Sequence, residues 1–238
     1  MPALPRATDD AGPAAWWSLW HEPWLEAHPG WWRGSDGLSH TLLARFQHPG
    51  PGCRLAYRTF CQYFGIDTGL ASPRPFPLAA VNDLPALPLS RQELVAAATA
   101  LGRVGYASHC LTSSRHGLAR LFSQGHQDAG DADAWRDALR QARARPLAMT
   151  TGHEPPPDAS AAQLQRWALP LMARLIEDAV PGAWARLRLR FDPQCFALEP
   201  LAPAPYPVAL QRQAWRIWRA AALNDLSDYS HEIPPSAS

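Results

Sequence analysis

From Ser90 onward the apolar residues return every three or four positions. Leu94, Ala97, Ala98, Leu101 and Val104 or Gly105 fall on one side of a helix. The start of that helix is marked twice. Ser90 and Glu93 have the spacing of a capping box, and Leu89 and Leu94 stand at the two staple positions around the cap. Gly102 and Gly105 weaken the helix, which predicts a close approach by another helix or an end nearby. The strongest periodicity runs over Asp158 to Val180. There Leu164, Trp167, Leu171, Leu175 and Ile176 line one side, with Ala168 and Met172 beside them, and Pro170 is expected to kink the helix. Helical spacing also covers Ser35 to Gln47, Cys53 to Phe64, Ser114 to Gln124 and Val208 to Asn224, the last with Leu210, Ala214, Ile217, Trp218 and Ala221 on its apolar side. Asp131 to Arg145 opens with acids and closes with arginines, an order that suits the helix dipole.

One segment has a different period. In WARLRLRF, Leu187, Leu189 and Phe191 alternate with Arg186, Arg188 and Arg190, which predicts a strand. Asp192 and Pro193 supply a turn, and CFALEPL can return as a second strand. The fold class expected is therefore mainly α, an irregular multi-helix globular domain with a short β-hairpin near residues 185–199. Residues 1–14 and 229–238 are polar and Pro-rich and are expected to be disordered. Residues 15–228 are expected to form a single mostly helical domain, with a broken Pro-rich connector over Ser72 to Pro88.

Composition narrows the chemistry. The chain has 238 residues, enough for a sizeable core, and 47% of them are hydrophobic. Its net charge of +1 gives no global field to recruit nucleic acid or an acidic membrane. It contains no lysine, so every basic side chain apart from histidine is arginine. That excludes Schiff-base chemistry on a side chain, a phosphate-loop nucleotidase and a protein kinase of ordinary design. Cys53, Cys61, Cys110 and Cys195 form no C-x-x-C pair. The opening residues hold no apolar signal region, and no run of about 18 apolar residues spans a bilayer. These features predict a cytoplasmic protein with reduced thiols.

Six of the 11 tryptophans lie between Trp16 and Trp32: Trp16, Trp17, Trp20, Trp24, Trp31 and Trp32. Trp16, Trp17, Trp20 and Trp24 recur at helical spacing before Pro29-Gly30 turns the chain. Indoles combine large apolar area with one N–H to satisfy, so they suit internal seams and protein interfaces alike. His21, Glu22, Glu26 and His28 lie in the same stretch, but HEPWLEAH lacks the H-E-x-x-H spacing of a zinc helix. His48, Cys53 and Cys61 match no zinc pattern either. A nucleophilic site would draw on His109, Cys110 and His116, yet neighbours on a helix point apart. No G-x-S-x-G or G-x-G-x-x-G motif is present. On a strand, Arg186, Arg188 and Arg190 would share one face at about 6.5–7 Å spacing. That face would be either solvated or docked on an acidic or phosphorylated partner. The residues expected to bind a partner are thus the six tryptophans with Arg186, Arg188 and Arg190. No catalytic residue, cofactor or metal ligand is expected.

Several runs resemble one family. They are Leu87-Pro88-Leu89 leading into a leucine-rich helix, Leu101-Gly102-Arg103-Val104-Gly105, GLARLFSQG, and the later Trp184, Arg186, Leu187, Leu189 and Arg190. Upstream, EPWLEAHPGWW and Phe64-Gly65-Ile66-Asp67 fit the same pattern. Together these resemble the K subunit of the type III secretion sorting platform, over roughly Trp16 to Leu223. The segment from Asp128 to Pro157 and the tail depart from the pattern. The resemblance implies a mostly helical cytosolic adaptor recruited to the cytoplasmic face of the inner membrane. It would join the cytoplasmic domain of the inner-membrane ring protein to the C-ring-like scaffold protein. It implies no catalysis, cofactor or metal, and contact with the membrane through protein alone. The alternative from the residues is a small lysine-free hydrolase or transferase with a His/Cys site.

Overall fold

The structure is a computed structural model that describes residues 11–33, 53–69, 90–113, 129–149, 160–196 and 206–229. It is mainly helical, and no strand occurs among the described residues. In chain order the helices are α1 (Ala11–His21), α2 (Gly30–Arg33), α3 (Cys53–Tyr63), α4 (Arg91–Ser113), α5 (Ala129–Ala144), α6 (Ala161–Ala179), α7 (Ala183–Leu187) and α8 (Val208–Tyr229). Two 3-10 turns, Arg188–Arg190 and Pro193–Cys195, follow α7. The helices expected over Ser35 to Gln47 and Ser114 to Gln124, and the connector over Ser72 to Pro88, lie outside the described residues. Helix α1 begins at Ala11, inside the stretch read as disordered.

Contacts group the chain into two units. One unit takes Ser90–Leu175 and Leu198–Ser238. Its centre is α4, against which α5 and α8 pack. The capping box forms as the sequence predicts. The Ser90 backbone N–H donates to Glu93 Oε2 at 2.6 Å, and the Glu93 N–H donates to Ser90 Oγ at 3.2 Å. Leu94, Ala97, Ala98, Leu101 and Val104 are buried on the expected face. Gly102 is there because there is no room for a side chain. A Cβ at this position would sit 2.4 Å from the Leu164 carbonyl oxygen on α6. Ser108 ties down the extended segment after α5. Its hydroxyl donates to the Val104 carbonyl at 2.7 Å and accepts the Leu147 N–H at 2.9 Å. The latter bond satisfies a donor that would otherwise be buried without a partner.

The other unit takes Met1–Leu89 and Ile176–Ala197. Its core holds Phe60, Cys61, Phe64, Ile66 and Leu189, flanked by Trp24, Trp31, Trp32 and Tyr57. Helix α3 stops on Gly65, which takes a left-handed φ of 61° that only glycine adopts cheaply. The Gly65 N–H donates to the Gln62 carbonyl and the Ile66 N–H to the Cys61 carbonyl, the paired bonds of a Schellman end. The Phe64-Gly65-Ile66-Asp67 step is thus a helix stop.

The hairpin expected near residues 185–199 is not formed where the structure describes the chain. Ala183–Leu187 is α-helical, and Arg188–Arg190 and Pro193–Cys195 are 3-10 turns. A strand would have turned each arginine outward. In fact Arg186, Leu187, Leu189, Arg190 and Phe191 are all buried, so the alternation of residue type does not track an alternation of exposure. Residues 197–199 lie outside the described chain.

Candidate functional site

The tryptophan-rich stretch and the arginine-rich segment, about 160 positions apart in sequence, form one site within the first-and-late-sequence unit. Three arginines from one short helical run hold the tryptophan-rich stretch and the end of α3. Arg186 is 1% exposed. Its Nε donates to the Trp20 carbonyl at 3.2 Å, Nη1 to the Gly182 carbonyl at 2.8 Å and Nη2 to the Asp67 carbonyl at 3.2 Å. Its guanidinium also lies 4.0 Å from the centre of the Trp20 ring. A buried cation is costly unless its donors are used and its charge is met. Here oriented carbonyl dipoles and the indole π-face meet it. Arg188 donates to the Phe64 carbonyl at the end of α3. Burial pushes its guanidinium pKa below the usual value. Arg190, 4% exposed, pairs with Glu26 at 3.0 Å.

The reading of Arg186, Arg188 and Arg190 as one solvated or partner-facing row is therefore corrected. A helical turn sends these side chains to different neighbours, and two of the three are buried. Sequence alone missed this because their acceptors are mostly backbone carbonyls, which carry no residue identity.

The tryptophans divide by burial. Trp16 and Trp20 stack at 5.9 Å and are buried. Trp24 meets Tyr57 and Phe60 edge-on, and Trp32 lies 5.8 Å from Phe60. Trp31 meets Phe64 edge-on at 5.6 Å, and its indole N–H donates to the Phe191 carbonyl at 2.9 Å. Trp24, Trp31 and Trp32 are half-buried against the core of their own unit. Trp17 differs. It is 54% exposed and stacks on His21, with ring centres 5.0 Å apart.

The polar residues of the stretch are dispersed by the same contacts. Glu26 serves Arg190, His21 serves Trp17, and His28 Nδ1 accepts the Gly30 N–H at 3.0 Å. Among the described residues no three His, Cys, Asp or Glu side chains come together to hold a metal ion. Cys61 is fully buried, and burial raises its thiol pKa, with smaller opposing effects from the Tyr57 hydroxyl and Arg186. Burial likewise raises the Tyr57 phenol, and a hydrogen bond with Cys61 adds to the rise. Both groups are thereby held in their neutral forms.

The other unit carries an open cleft of about 230 Å³ lined by Ser108, His109, Thr112, Leu147, Met149 and Trp167, among others. Cys110 is buried at 5% exposure whereas His109 is exposed, so the two sit on different sides of α4. His116 and His48 lie outside the described residues. Among the described residues that line the cleft, His109 is the titratable one.

No described helix is long and apolar enough to cross a membrane. Compared with family models, curated proteins and solved structures, the chain matches none.

Proposed function

We propose that this chain is a non-enzymatic adaptor of a type III protein secretion apparatus. In this reading it works in the cytoplasm at the inner membrane and links the cytoplasmic domain of the ring protein to the C-ring-like scaffold protein. One observation carries the adaptor reading. The ionisable side chains of the tryptophan–arginine site are spent on backbone carbonyls, one ion pair and ring stacking, while Trp17 stays at the surface. An enzyme gathers titratable groups around a substrate; this arrangement uses them to fix a shape that presents an indole. The apparatus itself comes from the resemblance. Its matched residues act as shape-setting positions: Gly102 at a helix crossing, Phe64 to Asp67 at a helix stop, and Arg186 and Arg190 as anchors.

The test is co-purification of the full chain with the ring and scaffold proteins from native cytosol, paired with secretion in a deletion strain. Recovery of both partners and loss of secretion are expected. Secretion that continues in the deletion strain, with neither partner recovered, overturns the reading. In the same assay Trp17→Ala is expected to lower recovery of a partner several-fold. Because Trp17 is mainly exposed, the change should alter stability by no more than about 0.5 kcal/mol.

A further inference from the structure

Helix α3 separates sharply by burial. Ala56, Phe60 and Cys61 are buried, the last two in the aromatic core. The opposite half is open to solvent. Arg54 and Arg58 stand one turn apart along one edge, Leu55 and Gln62 lie in the middle, and the half-buried Thr59 separates Leu55 from Tyr63 at the far edge. Leu55 is 71% exposed and Tyr63 56%. A single exposed leucine is ordinary. Two large apolar side chains on one helix face beside two arginines form a patterned surface. The arginines of this unit described above are all tied to carbonyls or a carboxylate. Arg54 and Arg58 are not: among the described residues neither has a carboxylate partner.

We infer that this face of α3 docks an acidic amphipathic helix of a partner protein. The charge pattern selects the occupant. Two cations one turn apart match two carboxylates one turn apart on a facing helix, and Leu55 and Tyr63 take up its apolar stripe. A nucleic acid or an anionic membrane would call for a broader basic surface and gains little from the exposed Leu55 and Tyr63. The helix is only about 16 Å long, so the contact is small and the complex transient. The inference rests on the reading that the protein acts by binding proteins, but not on which apparatus it serves.

The experiment uses the full chain and a labelled amphipathic helical peptide of roughly 18 residues, long enough to hold helix. The peptide carries a Leu/Ile stripe bordered by Glu pairs one turn apart. Its control has every Glu replaced by Lys. Fluorescence anisotropy is expected to show saturable binding of the acidic peptide and none of the control. The double variant Arg54→Glu/Arg58→Glu should bind roughly tenfold or more weakly. Leu55→Ala/Tyr63→Ala should also weaken binding. All four positions are solvent-facing, and an unchanged far-UV circular dichroism spectrum verifies that the variants fold. Binding that ignores these substitutions, a preference for the Lys peptide or for vesicles of anionic lipid, or no saturable binding overturns the inference. A chain that binds the acidic peptide through α3, yet recovers neither ring nor scaffold protein, supports this inference and overturns the secretion assignment. Recovery of both partners by the double variant at wild-type level, with no peptide binding by the wild type, does the reverse.

Discussion

Arg186 shows what a single side chain contributes here. Its charge is buried, and its acceptors are three carbonyls contributed by Trp20, Asp67 and Gly182. Arg186→Met keeps most of the volume but leaves those carbonyls without their donor. The expected loss is about 3 kcal/mol in urea unfolding. Arg186→Lys should recover only part of it, because an ammonium lacks the planar fork that reaches several acceptors at once. Cys61 and Tyr57 make a second prediction. Burial raises both acids in the folded chain, so the folded state holds their protons more tightly than the unfolded one. Their contribution is complete below the ordinary thiol value of 9.0 and is lost as pH rises through the raised folded values. Urea midpoints should therefore fall above about pH 9, and Cys61→Ala should flatten that fall. At this scale the sequence was legible where a side chain meets a side chain of fixed spacing, as in the Ser90–Glu93 box. It was silent where a side chain meets a distant carbonyl, as at Arg186.

At the scale of elements, the helices with a clear 3.6-residue stripe appear close to where the pattern puts them. Arg91–Ser113 follows its capping box, and Ala161–Ala179 buries Leu164, Trp167, Leu171, Leu175 and Ile176 as expected. The glycine pair of α4 separates two kinds of close approach. Gly102→Ala gains about 1 kcal/mol of helix propensity but drives a methyl into the Leu164 carbonyl, which is backbone. Steric cost should win by about 2 kcal/mol. At Gly105 the nearest atoms belong to side chains, Met149 Cγ at 2.5 Å on a flexible chain that can move and Trp167 Cζ3 at 3.1 Å. Gly105→Ala should thus cost far less than Gly102→Ala, and thermal unfolding of the two variants compares them directly. Ser90→Ala removes the cap of the same helix and is expected to cost about 1 kcal/mol. The strand expected at Arg186 to Phe191 fell because residue type was read as exposure. Arginine can be interior when carbonyls receive it, so a Leu/Arg alternation is compatible with a helical turn.

Taken as a whole molecule, the chain has a net charge of +1 and no lysine, and the missing lysine rules out amine chemistry on any side chain. The sequence also determined the helical character of the described residues and the faces their long helices bury. Those properties depend on residues close together in the chain, and local spacing encodes them directly. Which indoles are buried, which half-buried and which exposed was decided only by the tertiary structure. So was the joining of Trp20, Glu26 and Phe64 to the Arg186–Arg190 run. The arginine contacts join residues more than a hundred positions apart, mostly through backbone acceptors that every residue type possesses. A linear pattern carries no record of such meetings; they exist only once the chain has folded back on itself.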